Sequence, residues 1–177
     1  MFVEHVRLLA SYNEWMNVKL YAAAASMPPE ALAEDTGGFF GSLLGTLDHI
    51  VVGDTIWLKR FAQHPAGFAE LAAIVSMPDP TSMDQIVCTD FAALRQRREW
   101  LDGVIIRWAD TLTDPHLSVA LTYASTKGVV SSKRFASLVM HLFNHQAHHR
   151  GQATTLLSQA GIDVGITDLV ALIPDQV

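Results

Sequence analysis

The sequence predicts an all-α fold, a four-helix bundle with a small β-hairpin before the last long helix. Four long segments repeat apolar residues at three- and four-residue spacing, the period of an amphipathic helix. Only one stretch, residues 117–131, has a strand-like composition. At 177 residues, half of them hydrophobic, the chain is expected to form one domain over 1–177 with a sizeable core.

The first helix is expected from about Val3 to Ser26, with Leu8, Leu9, Tyr12, Trp15, Met16 and Leu20 on its apolar face. Pro28-Pro29 stops it. The second is expected over Gly41 to Gln63, with Ser42 near its N-cap and Leu43, Leu47, Ile50, Trp57, Leu58 and Phe61 on its apolar face. Residues 64–88 hold Pro65, Gly67, Pro78 and Pro80 and read as an irregular connection with at most a short helical turn. The third helix starts near the capping pair Thr89-Asp90 and runs to about Asp110. The hairpin is expected within 117–131, turning at Lys127-Gly128; alone it is marginal and must lie on the bundle. The fourth helix runs from about Ser132 to Ala160, where Gly161 ends it. A short helix near Asp168–Leu172 is expected to pack back. The two long connections suit crossovers rather than tight turns.

A net charge of −6 argues against nucleic-acid binding, which needs clustered Lys and Arg. The one basic cluster, Arg95-Gln96-Arg97-Arg98, reads as a solvated helix face. Cys88 is the only cysteine, so no internal disulfide or CxxC site is available, and it reads as inert. The N-terminus lacks signal-peptide features and no apolar run is long enough to span a membrane, so a cytoplasmic setting is expected.

The chemistry concentrates in His141-Leu-Phe-Asn-His145-Gln-Ala-His148-His149-Arg-Gly-Gln152, which holds half of the eight histidines. His145 and His149 are one helical turn apart and point the same way. With His141 as zero on a helical wheel, Phe135, Leu138, Leu142, Ala153, Leu156 and Ala160 fall within roughly 60–120°. His149 lies near ~80°, inside that stripe, and His145 near ~40°, at its edge. His141 and His148 lie further round, towards solvent or a neighbouring helix. The pair His145 and His149 is therefore favoured as metal ligands. A single histidine on an apolar face is usually a core residue with satisfied hydrogen bonds. Two of them at this spacing each need a donor and an acceptor partner, and a shared cation satisfies both acceptor nitrogens. No Glu follows the first His, so the HExxH metalloprotease reading fails.

No second catalytic group stands out. Asp48 adjoins His49, but helix neighbours point about 100° apart. Asp54, Arg60, Tyr12 and Gln152 could project near the site, but each reads more readily as a surface charge, a packing aromatic or a hydrogen-bonded polar group. Arg150 is expected to face away and pair with a carboxylate, and Trp15 and Trp57 to lie in the core. There is no glycine-rich phosphate loop, GxSxG elbow or paired-carboxylate signature.

Several blocks resemble the DinB-like branch of the DinB/YfiT metalloenzyme superfamily. They are Leu43-Leu44-Gly45-Thr46-Leu47-Asp48-His49-Ile50, Trp57-Leu58 and Asn144-His145-Gln146-Ala147-His148-His149-Arg150-Gly151-Gln152. Tyr12-Asn13-x-Trp15 and Gly161-x-Asp163-x-Gly165-x-Thr167-Asp168-Leu169 extend the likeness over nearly the whole chain. The resemblance implies a four-helix bundle of unusual connectivity, often dimeric, with a divalent metal held by three histidines. Those are His49, His145 and His149; His49 rests mainly on the resemblance, since it lies at the flank of its own apolar face. The resemblance further implies transferases and isomerases that use small thiols.

Three neutral imidazoles leave open coordination positions, as in a catalytic zinc site. Zn or Ni is favoured, and Fe, Co or Mn also suit nitrogen ligands. The expected activity is a metal-dependent, thiol-dependent S-transferase whose partners are a small-molecule thiol and an electrophile. A metal-dependent hydrolase, or a non-catalytic stress protein that binds metal or a small ligand, are the alternatives. A homodimer is expected from the resemblance, with weak support from a charged fraction of only 17%. Nucleic acid and membrane are not expected partners.

Overall fold

The computed structural model describes residues 2–88 and 90–175. In chain order the elements are α1 (Val3–Ala24), α2 (Pro29–Leu32), α3 (Leu43–Phe61), a 3₁₀ turn (Ala69–Leu71) leading into α4 (Ala72–Val75), and α5 (Phe91–Thr111). Then come α6 (Asp114–Ser118), the strands β1 (Ala120–Ala124) and β2 (Val130–Arg134), α7 (Phe135–Gln159) and a final 3₁₀ turn (Leu169–Leu172). The all-α expectation holds: α1, α3, α5 and α7 form a four-helix core, and the hairpin precedes the last long helix.

Local chemistry sets the boundaries. Gly41 has φ +74°, a left-handed conformation no helix can contain, so α3 begins two residues later than the periodicity predicts. Ser42 caps it, its hydroxyl accepting from the Gly45 amide at 3.0 Å. At α5, the Asp90 carboxylate accepts from the Ala93 amide at 2.8 Å; the other half of the predicted capping pair, Thr89, lies outside the described residues. The fourth long helix starts at Phe135 rather than Ser132, because Ser132 pairs with Thr122 in the hairpin. The hairpin is antiparallel and turns through Gly128 at φ +76°. Leu121 anchors it in the core, and the Tyr123 ring packs on Trp57 with centroids 5.4 Å apart. Residues 117–118, expected in the hairpin, close the short α6 instead.

α1 packs mainly on α5 and α7, and α3 packs on the same two. The first two long helices are therefore diagonal, and the chain between them crosses the bundle end rather than making a tight up-down turn. One end of the core is aromatic. Phe61 stacks on Trp108 at 5.4 Å and meets Phe135 edge-on at 5.1 Å. No described helix is long and apolar enough to cross a membrane.

The middle of the bundle is ionic. Arg98, which the sequence assigns to a solvated basic face, is 1% exposed. Arg98 lies seven residues before Ile105 and four after Leu94, on the buried side of α5; Arg95 and Gln96 of the cluster are on the outer face, with Arg95 paired to Glu99 at 2.8 Å. The Arg98 guanidinium pairs with Asp54 of α3 and, at 3.0 Å, with Asp102 of its own helix. Asn13 and Asn17 of α1 donate to Asp102 at 2.8 and 2.9 Å. Gln146 of α7 donates to Asp54 at 2.8 Å. Arg150, expected to pair with a carboxylate, instead donates to the Asn13 amide oxygen and lies over the Tyr12 ring. All four long helices meet in this one network. Burial pushes Asp102 up to about 6, against the opposing pull of Arg98 and the Asn17 amide, so it remains mostly ionised at neutral pH.

Removing one member of such a network strands its partners. Arg98→Met is expected to cost about 3–5 kcal/mol, because Asp54 and Asp102 are left buried and uncompensated. Adding Asp54→Asn and Asp102→Asn to the same variant should recover much of that loss. Urea-unfolding midpoints of the two variants check both statements.

Candidate metal centre

α3 and α7 run antiparallel along their contact. His49 faces His145 and His149, and Trp57, two turns further along α3, meets His141, two turns back along α7, at 4.8 Å between ring centroids. The heptad-like repeat of α7 puts His149 and His145 on the side facing α3. The three imidazoles converge through their Nε2 atoms. His49 Nε2 lies 3.2 Å from that of His145 and 3.2 Å from that of His149. Among the described residues these three form the cluster of histidine, cysteine and carboxylate side chains close enough to share an ion. Nitrogen ligands about 2.0–2.1 Å from a tetrahedral ion lie roughly 3.3 Å from one another. The two separations from His49 match that spacing without movement of the helices.

Hydrogen bonds at the far side of the His49 and His149 rings fix what their Nε2 atoms present. His49 Nδ1 lies 2.7 Å from the Met83 carbonyl oxygen, which only accepts, so Nδ1 carries the proton. His149 Nδ1 lies 2.8 Å from Gln152 Oε1 and donates likewise. Both Nε2 atoms therefore hold lone pairs, and they face each other inside the protein. Two acceptors at that distance cannot satisfy each other. His145 has one proton to offer, and placing it on Nε2 satisfies one neighbour at most. Its Nδ1 has no partner in either case. A divalent cation resolves the convergence for all three rings, so the residues present fit one.

The surroundings hold the rings in place. Gly53, one turn after His49 on the same face of α3, leaves room for His145. A Cβ there would sit 2.6 Å from His145 Cε1. Phe40 stacks on His49 at 3.9 Å and meets His149 edge-on at 5.4 Å. Asp48 points away from the cluster, as the helical offset predicts, yet serves it indirectly. Its buried carboxylate accepts from the Val87 and Cys88 amides, each at 2.9 Å, and so ties down the segment whose Met83 carbonyl orients His49. His49 is 5% exposed and His149 9%, while His145 is half-buried, which leaves the cluster reachable from one side.

Burial lowers the pKa of all three rings. His145 is pushed down to about 3, first by burial and then by the neighbouring imidazoles, led by His149 and His49. All three are neutral at pH 7, the form that ligates metal. Arg60 adds to the effect of burial in lowering His141.

The other sequence candidates separate from this cluster. His148 is exposed and its Nε2 accepts from the Gln152 amide at 3.4 Å. His141 is exposed and leans on Trp57. Gln152 does reach the site, through His149. Tyr12 donates to the Thr167 carbonyl, and Asp54 is buried in the ionic network. Arg60 lies over Trp57 and Tyr123. Trp57 is buried but Trp15 only half so, with Lys19 over its ring. Cys88 is buried and its thiol is raised, chiefly by burial, so it is a poor nucleophile. Sequence reasoning missed Gly53, Phe40 and the Met83 carbonyl. The four-residue spacing from His49 to Gly53 is a signal that was available; Phe40 and Met83 lie in irregular segments that carry none.

A pH dependence follows with a definite sign. Unfolded histidine titrates near about 6.5, whereas folded His145 titrates far lower, so between those values the unfolded state binds more protons. Metal-free protein is expected to lose stability as pH falls through that window. The His145→Asn variant should show a flatter decline, read from urea midpoints between neutral and acidic pH.

Comparison with known proteins agrees with this architecture. The DinB family model matches residues 1–175. Protein DinB of Bacillus subtilis (strain 168) is 24% identical over 160 residues, covering 90% of this chain and 88% of the relative. No solved structure matches the chain. With a family model spanning almost every residue and a three-histidine cluster between its second and fourth long helices, the chain belongs to the DinB family.

Proposed function

We propose that this protein is a metal-dependent enzyme that transfers a small thiol to an electrophile. Its ion would be held by Nε2 of His49, His145 and His149 with at least one position open. The observation that carries the reading is the convergence of lone pairs: His49 and His149 are locked as Nε2 acceptors by Met83 and Gln152, and they face each other at 3.2 Å. An uncharged donor set suits Zn or Ni best, with Fe, Co and Mn as further occupants. A bound divalent ion lowers the pKa of a coordinated thiol or water, so that a nucleophile forms near neutral pH.

The chain's own residues supply the rest. Gln152 and the Met83 carbonyl hold two ligand rings in one tautomer and one orientation. Phe40 shields the His49 and His149 rings from water on one side. His145, half-buried, marks the side from which substrate enters. Among the described residues no buried carboxylate or thiol is placed at the cluster to act as general base, which favours a nucleophile that ionises on the metal over one that needs a protein base. Hydrolysis by the same centre is the second reading.

A homodimer is part of the same proposal. Leu9, Tyr12, Met140, Phe143, Ala147 and Leu169 line an apolar groove between α1 and α7, and Met140 is 55% exposed there. Sedimentation should give twice the 19.4 kDa chain mass at micromolar concentration. A cytoplasmic site of action is proposed with it.

Elemental analysis of single variants tests the ligand set. His49→Ala, His145→Ala and His149→Ala should each lose the metal, while His141→Ala and His148→Ala keep it. Gly53→Ala should retain the fold but weaken metal binding by about tenfold or more, because it displaces a ligand ring without removing it. If the wild type binds no ion, or His148 proves essential and His145 dispensable, the assignment is wrong. Thiols screened against alkylating electrophiles and esters, with metal-loaded and stripped protein, separate transferase from hydrolase; metal-dependent melting without turnover points to a non-catalytic binder.

A further inference from the structure

Three helical turns along α3 from the three-histidine cluster stands a positive charge, Arg60, that has no ion-pair partner among the described residues. His49, Gly53, Ile56 and Arg60 follow one another at four, three and four residues, so they form a single stripe along α3. The stripe begins at the cluster and ends at Arg60, whose backbone lies about 16 Å further along the helix axis. Between them lies an aromatic wall. His141 is 6.0 Å from His145 and 4.8 Å from Trp57, and Trp57 is 5.4 Å from Tyr123, all between ring centroids. Arg60 lies over this wall, 4.6 Å from the Trp57 ring and 5.1 Å from Tyr123.

Arg60 is half-buried, and among the described residues its guanidinium makes no hydrogen bond or ion pair. Lys59 is taken by Asp79 at 2.6 Å, Arg95 by Glu99, and Arg98 by two buried carboxylates. Arg60 also borders a groove of about 310 Å³ lined by Ser125 and Thr126 of the hairpin turn and by the paired Lys59 and Asp79. A planar guanidinium with its faces on aromatic rings still presents its edge N–H groups, the geometry that binds carboxylate or phosphate in a two-pronged fashion.

We propose that Arg60 is a specificity-determining residue: it binds an anionic group on the molecule whose reactive end lies at the three histidines. The inference rests on the proposed metal-thiol reading and narrows it to substrates that carry a carboxylate or phosphate, joined to the reactive end by an extended linker that lies along Trp57 and His141. The competing account is purely structural, with Arg60 serving only to clamp the hairpin onto α3 through Tyr123 and Trp57.

The test uses cobalt-loaded protein and reads the visible spectrum as thiols are added. The probes are mercaptoacetate, mercaptopropionate, mercaptohexanoate and mercaptooctanoate, each paired with the neutral mercaptoalcohol of equal length. Wild type should bind one of the longer acids about tenfold or more tightly than its matched alcohol, since a charged hydrogen-bonded pair contributes on the order of 1.5–3 kcal/mol. Arg60→Met keeps the packing volume and should erase that preference while leaving affinity for the alcohols unchanged; Arg60→Lys should retain part of it. Thiols that bind with no preference for the acids, or a preference that survives Arg60→Met, overturn the proposal and leave the metal-thiol reading intact. If no thiol alters the spectrum, that reading fails, and the anion site is judged separately from the Arg60 Nε–H resonance during glutarate titration. A shift of that resonance supports an anion site, and its absence sinks it.

Discussion

The hydrogen bond from Gln146 to Asp54 fixes how α3 meets α7, and the candidate site depends on that register. Asp54 is the residue after Gly53, and Gln146 the residue after His145. On one side of this helix contact the pair belongs to the ionic network that Arg98 draws together from all four long helices. On the other side the His145 ring fills the space that Gly53 leaves open. Arg150 and His149 repeat the arrangement one turn on. A slip of one residue between the helices would strand Asp54 and remove the cluster at once. Buried ionic networks are weak sources of net stability but demanding about geometry, and here that demand coincides with the needs of a three-ligand site.

The two buried polar clusters differ in kind. Around Arg98, charges of opposite sign compensate within the chain: one guanidinium meets two carboxylates, and amides fill in at their edges. Around His49 the groups are alike. Three ring nitrogens face inward, two of them fixed as acceptors, and among the described residues no donor is positioned to satisfy them together. Natural cores rarely tolerate that, and when they do the conflict marks a place built for something other than stability. The His49 and His149 rings are held there by their outer nitrogens, and His145 by the space that Gly53 leaves for it.

Periodicity made the four long helices legible, because each exposes one face to solvent and the repeat of apolar residues records it. The same reasoning found His145 and His149, since their spacing and their place on the apolar stripe both reflect which way α7 turns its inner side. His49 was harder. Almost all of α3 is buried, so it has no polar face to set a contrast, and the residue was placed by resemblance rather than by pattern. Arg98 defeated the sequence for the opposite reason: three arginines in four residues look like a wet surface, and nothing local says that one of them points at two carboxylates on different helices. Long-range pairing of this sort is written in several segments at once and in none of them alone. The orientation of His49 by Met83 was equally hidden, because it depends on a backbone carbonyl that any residue type would supply.

How far the fold depends on an ion can be argued from where the large side chains lie. Trp108, Phe61, Phe135, Leu20, Leu47, Leu58 and Leu94 are fully buried, and they belong to a core that does not need the histidine cluster to close. Small metal-nucleated domains lack such a core and unfold when stripped. In this chain an ion would act by mass action on an already folded bundle, adding stability in proportion to its concentration and affinity. The cost of leaving it out falls locally, on α3, α7 and the segment around Met83 that Asp48 ties to them. Local opening there would release His49 before it disturbed the aromatic end of the bundle, while the four-helix core stays formed.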